Sequence, residues 1–255
     1  MDILFEIMTL PQFIFACCIA LLAGFVKGVV GFAMPMVFIS GLSTFLAPEL
    51  ALAGLILPTL VTNVMQSMRQ GPRAAWESVK RFRVFLGVGL VTLVLGAQMV
   101  RVLEPATMLL VIGVPVVAFA CMQLVGWAPT LPSASNKVAV GVGAFTGFMG
   151  GLSGIWGPPT VAYLTALNIG KNDFMRVQGV IYGLGAVALT LAHMGSGVLR
   201  AQTWPLGIAM VPTAVLGMWI GGQVLDRIDQ AMFKRAILVV LLVAGLNLLR
   251  RAVMG

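Results

Sequence analysis

The stretch GFVKGVVGFAMP, residues 24–35, sets glycines at 24, 28 and 31, a lysine at 27 and a proline at 35 inside one of the most apolar regions of the chain. Glycine lets a backbone leave the helical region, and proline removes a donor and clashes with the preceding turn, so the stretch reads as an interruption. The block that holds it, residues 10–46, would extend about 55 Å as one straight helix at about 1.5 Å per residue. That is nearly twice a hydrocarbon core of about 30 Å, so the block has to break, and the Gly/Pro cluster is the place.

The surrounding composition says why a hydrocarbon core is the right ruler. Of 255 residues, 60% are hydrophobic and only 9% charged, with a mean hydropathy of +1.03; a soluble domain has about a quarter of its residues charged. The chain reads as an integral membrane protein. Apolar runs fall at 10–26, 49–68, 84–100, 106–126, 138–149, 174–194, 205–225 and 236–249, with shorter pieces at 33–46 and 157–168. No polar stretch is long enough for a soluble domain. Asp2 and Glu6 with no early Lys or Arg argue against a cleaved signal peptide, so the first run is expected to be a retained membrane segment.

The net charge of +8 does not point to nucleic acid, because the basic residues sit at the ends of apolar runs, where they orient a chain in a membrane. Cys17, Cys18 and Cys121 lie inside apolar runs with no metal-binding or redox spacing and are expected to be buried thiols. No phosphate-binding loop, dinucleotide fingerprint or metalloprotease His-Glu pattern appears, so no cofactor is expected.

The opening stretch recurs. A shift of about 123 residues lays it on GFMGGLSGIWGP, residues 147–158, matching Gly24 to Gly147, Phe25 to Phe148, Gly28 to Gly151, Gly31 to Gly154 and Pro35 to Pro158. A shift of about 125 lays GAQMVRVLE (96–104) on GGQVLDRID (221–229), matching Gly96 to Gly221 and Gln98 to Gln223. The chain therefore reads as a tandem duplication, with a first repeat at 1–126, a Pro/Ser-rich linker at 127–137 and a second repeat at 138–255. The expected fold is an all-α polytopic membrane protein of about 8–10 segments, each repeat opening on a broken or re-entrant helix.

Basic residues test the orientation. If each broken block is a hairpin, 11 basic residues fall on the cytoplasmic side against Arg101, Arg200, Arg250 and Arg251 outside, with Lys27 set aside; the loop 69–83 is then cytoplasmic and the repeats are inverted. If each block crosses once, the tally is 9 against 6, and eight simple crossings stand as the alternative.

A backbone broken at membrane depth must be buried in protein or line a watery cavity. Two such breaks in matching positions point to a secondary transporter with its site expected at the broken helices between the two halves, although small residues at these spacings also serve close helix packing. A helix that restarts presents unpaired N–H groups and a partial positive charge, an anion seat. The restarts are expected near Ala33, Met34 and Pro35, and near Trp156, Gly157 and Pro158, with proline suited to a first helical turn. Gly28, Gly31, Gly151, Ser153 and Gly154 would form the backbone cradle. Lys27 is either an anion contact or a snorkelling side chain. Asn63, Gln66, Gln98, Gln178 and Gln223 are polar residues in apolar segments, each more readily a bond to a neighbouring helix than a ligand contact. Asn63 and Gln66 lie one turn apart on one face and rank first. Trp156 and Tyr163 could stack on an aromatic substrate, while Trp76, Trp127 and Trp204 read as interfacial anchors.

The paired motifs GFVKGVVGFAMP and GFMGGLSGIWGPP, each followed by a helix and then a Gly-Ala-Gln or Gly-Gly-Gln segment, resemble the TauE/SafE sulfite exporter family, also called the 4-toluene sulfonate uptake permeases. The resemblance covers essentially the whole chain and implies a bacterial inner-membrane carrier of sulfite, sulfonates or other small organic anions. Glycine-richer versions of the first motif are expected in the family; Lys27, Val29, Val30 and Ala33 depart from them and put the family's substrate contact in doubt in this half. A different class of function starts from Gly-Leu-Ser-Gly, residues 151–154, which resembles the rhomboid intramembrane proteases, with Ser153 and the sole histidine, His193, as a dyad. The duplication accounts for that motif more simply, since Ser153 falls on Val30.

Overall fold

The computed structural model describes residues 7–42, 44–99, 105–127, 131, 135–153, 157–195 and 201–254. Among them the chain is helical throughout, without strands: α1 (Leu10–Val30), α2 (Met34–Leu42), α3 (Pro48–Met68), α4 (Pro72–Arg81), α5 (Arg83–Met99), α6 (Pro105–Leu124), α7 (Asn136–Ser153), α8 (Gly157–Ala166), α9 (Lys171–Gly195), α10 (Trp204–Arg227) and α11 (Gln230–Met254). Ten of these sit on the ten apolar runs. The eleventh, α4, lies in the stretch read as a loop; Pro72 starts it at a position where a missing N–H costs nothing. Its Trp76 is exposed beneath the Lys80 ammonium.

Leu10–Val30, Leu50–Met68, Trp204–Arg227 and Gln230–Met254 are long and apolar enough to cross a membrane. Large apolar side chains point outward from them, among them Ile14, Phe15 and Leu22 on α1 and Trp219 on α10. Such a surface suits lipid rather than water. Cys18 and Cys121 lie on it too, and Cys17 is half-buried, which corrects the expectation of buried thiols: a thiol is apolar enough to face lipid.

The chain forms two compact units, Met1–Ala75 with Met175–Asp229, and Trp76–Phe174 with Gln230–Gly255. In the first, α1 ends at Gly31, whose φ of 85° is left-handed and whose N–H closes on Lys27 O at 2.7 Å. Ala33 follows with φ 69°, a conformation costly for a residue with a Cβ. The chain restarts at Met34 and folds back: Gly41 lies against the Ile19 side chain, and the Phe15 and Phe45 rings approach to 5.7 Å between centroids. The break demanded by the length of block 10–46 is therefore present, and the chain turns back on itself there. The core at this turn is Met34, Phe38 and Leu42 against Ala16, Ala20 and Ala23, closed by Leu206, Met210 and Ala214 of α10.

The α1–α10 contact is backbone on backbone. A Cβ added at Gly24 would come within 2.1 Å of Ala214 O, at Gly28 within 2.3 Å of Met218 O, and at Gly221 within 2.2 Å of Phe25 O. Where helices gain nothing by hiding apolar surface from lipid, close approach through small residues supplies the attraction. An Arg69–Asp226 ion pair joins the ends of α3 and α10.

In the second unit α5 packs on α7 in the same manner: a Cβ at Gly147 would come within 2.0 Å of Gly89 O, and at Gly96 within 2.3 Å of Phe148 O. These contacts match those of Gly24 with Ala214 and of Gly221 with Phe25, at the offsets of 123 and 125 residues by which the motifs repeat. Helix α8 turns back as α2 does, since Tyr163 stacks on Phe85 with centroids 5.4 Å apart and Leu131 N donates to Ala166 O at 2.8 Å. Residues 154–156, where the second break was expected, lie outside the described residues. The compact units do not coincide with the sequence halves, because each broken helix pairs with a helix from the other half.

Gly24→Leu and Gly147→Leu should each destabilise the protein by about 1–3 kcal/mol or more, because neither helix backbone can yield to a side chain. Gly87→Ala and Gly141→Ala, whose added Cβ meets nothing within 4 Å, should leave the melting temperature in detergent close to the parent's. Equal losses in both pairs would show that the helix contacts are not as close as described.

Candidate functional site

The break between α1 and α2 leaves backbone donors without acceptors. Gly31, Phe32, Ala33 and Met34 are all buried. Gly31 N–H bonds within α1, and the N–H groups of Met36 and Val37 both reach Ala33 O at 3.1 Å. The N–H groups of Phe32, Ala33 and Met34 have no partner among the described residues. Consecutive free donors around left-handed residues at the start of a helix are the kind of backbone on which anions can be held.

Four polar side chains gather around it, three of them amides. Lys27 is 2% exposed, and its ammonium donates to Asn63 Oδ1. Asn63 Nδ2 in turn donates to Tyr182 O at 3.1 Å, which fixes the amide with its oxygen toward the lysine. No acidic side chain among the described residues pairs with Lys27. Its position in the last turn of α1, at the negative end of the helix dipole, offsets part of the cost of a buried cation. The side chain thus stays in the interior and does not snorkel.

One turn along α3, Gln66 Nε2 donates to Gly31 O at 3.2 Å and to Met175 O at 2.9 Å. Asn63 and Gln66 therefore share one face, as their spacing implies, and each ties the end of α1 to α9. Gln178 of α9 completes the group. It is fully buried, it lies directly on Gly31, where an added Cβ would be 1.8 Å from Gln178 Oε1, and neither of its amide atoms has a partner. Gln66 Oε1 is likewise unpartnered. Met34 closes the group from below, its sulfur 3.5 Å from Thr62 Oγ1.

Lys27, Gly31, Ala33, Met34, Asn63, Gln66 and Gln178 thus come together in one unit. Gly28 instead packs on α10, and Pro35 is exposed on the second residue of α2. Gly151 and Ser153 belong to α7 and Pro158 to α8, but their surroundings lie outside the described residues, as do Gly154 and Trp156; Gly157 opens α8. Tyr163 is taken up by Phe85 and is not free to stack on a substrate. The side chain of His193 also lies outside the described residues, and no observation favours a Ser153–His193 dyad. The backbone carbonyls of Met175 and Tyr182 were not foreseen, because a main-chain acceptor carries no residue signature.

The break sits near an end of the bundle. Gln66, level with Gly31, is three residues from Arg69, about 4.5 Å along the helix axis, and Arg69 marks the charged end of α3. Sequence periodicity could not supply that depth.

A family model, described as sulfite exporter TauE/SafE, matches residues 16–248. The match takes in nearly the whole chain, and the protein belongs to that family. Its apolar helices accord with a multi-pass membrane protein. No curated protein and no solved structure matches the chain.

Asn63→Leu should destabilise the protein by about 1.5–3 kcal/mol, because it strands the Lys27 ammonium. Adding Lys27→Met to that variant should restore part of the loss, a coupling that melting curves of the four proteins in detergent can measure. Strictly additive losses would mean that the two side chains do not depend on each other.

Proposed function

We propose that this member of the sulfite exporter TauE/SafE family is a secondary transporter of small sulfur-containing or organic anions, and that the anion seats at the Gly31–Met34 break. The observation that carries the reading is a run of N–H groups at the buried residues Phe32, Ala33 and Met34 that have no partner among the described residues, beside a buried lysine that no described carboxylate neutralises. An unpaired cation and three unpaired donors are costly to bury without a ligand. An oxyanion supplies both the charge and the acceptors.

The two repeats, 1–126 and 138–255 around the linker 127–137, are part of the proposal, as is their inverted arrangement. Two observations support it. The glycine contacts of each unit recur at the repeat offsets, and the Arg69–Asp226 pair brings together the ends of α3 and α10. Eight simple crossings would put those two ends on opposite sides of the membrane, whereas hairpin blocks put them on the same side. The cation belongs to the first repeat alone, because Gly150 stands in the second repeat where the first has Lys27. A bacterial inner membrane is the proposed location, and a carrier of this kind performs no chemistry on its cargo.

Gly31→Leu should abolish sulfite binding in isothermal titration, because a side chain there is strained at φ 85° and collides with Gln178. Lys27→Met should weaken binding about tenfold to a hundredfold without abolishing it, and Ser153→Ala should bind and transport like the parent. Undiminished binding by a folded Gly31→Leu would place the anion elsewhere. For topology, single cysteines at Asp2 and Glu77 in a background without the native three should label from opposite sides of the membrane; labelling from one side would favour eight simple crossings.

A further inference from the structure

The anion reading explains the unpaired donors at the break and leaves its unpaired acceptors without a purpose. Gln66 spends its Nε2 on two carbonyls, Gly31 O and Met175 O. That fixes its Oε1 as the free end whichever way the amide is drawn, and this oxygen is fully buried with no partner. Gln178, also fully buried, has neither amide atom paired. Exchanging its two ends would move the oxygen but would still leave one acceptor and one donor unsatisfied. Both side chains meet at Gly31, beside the N–H groups of Phe32, Ala33 and Met34.

An oxyanion without a proton can satisfy the N–H groups, Lys27 and the Gln178 amide N–H, but its own oxygens would then face Gln66 Oε1, whose orientation is fixed. Lone pair against lone pair in a buried site repels, and the acceptor stays unpaired. We infer that the site selects a monoanionic oxyanion that brings its own hydrogen-bond donor. This rests on the anion reading and specifies it. The anionic oxygens lie toward Phe32–Met34 and Lys27, and an acid O–H, or a hydroxyl within one or two bonds of the charged group, donates to Gln66 Oε1 or Gln178 Oε1. One formal positive charge, that of Lys27, matches a single negative one. Where the donor is an acid O–H, each anion carries a proton with it, and no carboxylate is needed as the carrier.

The test compares 2-hydroxyethanesulfonate with 1-propanesulfonate, which have equal charge and nearly equal size and differ by a hydroxyl in place of a methyl, by isothermal titration of the full-length protein in detergent, with sulfite as a third probe. The hydroxyl-bearing anion should bind at least about tenfold tighter, since a site with buried polar groups rejects the analogue that leaves them unpaired. Gln178→Met, close in shape but without amide atoms, should shrink that ratio while propanesulfonate binding is kept or improved. Equal affinity of the two sulfonates in the parent overturns the inference and leaves the anion site standing. If sulfite alone binds, an affinity that does not fall as pH rises through sulfite's own second ionisation overturns it. If none of the three binds, the anion site itself fails, and this inference with it.

Discussion

A peptide group that loses its helical partner inside a membrane has no water to turn to, and the first compact unit is arranged around that constraint. The break at Gly31–Ala33 sets free the last carbonyls of α1 and the first N–H groups of α2. Part of the carbonyl side is handled from within the protein. Gln66 takes Gly31 O, and Asn63 holds the lysine of the last turn in place. The donor side is not handled, and three buried N–H groups wait beside the same side chains. Helix ends in lipid are tolerated only when something satisfies them. On the proposed function, α3 takes one freed acceptor, Gly31 O, and an incoming anion would satisfy the donors.

Close packing makes the arrangement possible. The glycines of α1 lie against α10 at distances no side chain allows, so α1 is held along its length by backbone contact. A helix fixed in this way can end abruptly without drifting. Lys27, in the last turn of α1 and only one residue from the packing glycine Gly28, is aimed by that contact at Asn63. The same glycine spacing therefore has two uses: Gly24 and Gly28 pack, while Gly31 opens the backbone.

Much of this was legible in the sequence because membrane segments are long and nearly uniform in composition. Hydropathy located ten helices, and helix length against membrane thickness forced a break in the first block. Glycine and proline placed the break to within a residue or two, and the Asn63–Gln66 spacing gave a shared face. Three things escaped. Helix α4 is too polar for a hydropathy reading and shows itself only through Pro72 and its amphipathic pattern. The depth of the break depends on how α1, α3 and α9 slide past one another, which no single segment encodes. The way the sequence halves exchange helices between compact units is a property of pairing: Gly24 matches Gly147 in sequence, yet each packs on a helix of the other half.

That exchange bears on how a charge can be placed. If the matching sequence motifs reflect a duplication, their side chains have been free to diverge, and they differ at the lysine of the first motif. Lys27 has Gly150 as its counterpart, and the amides around it come from α3 and α9, helices of different halves assembled in one unit. A cation placed at both breaks would double the cost of buried charge. One cation, at one break, with neutral amides to hold it, keeps the unliganded protein foldable. On the proposed function, it also leaves a buried cation for an anion to meet.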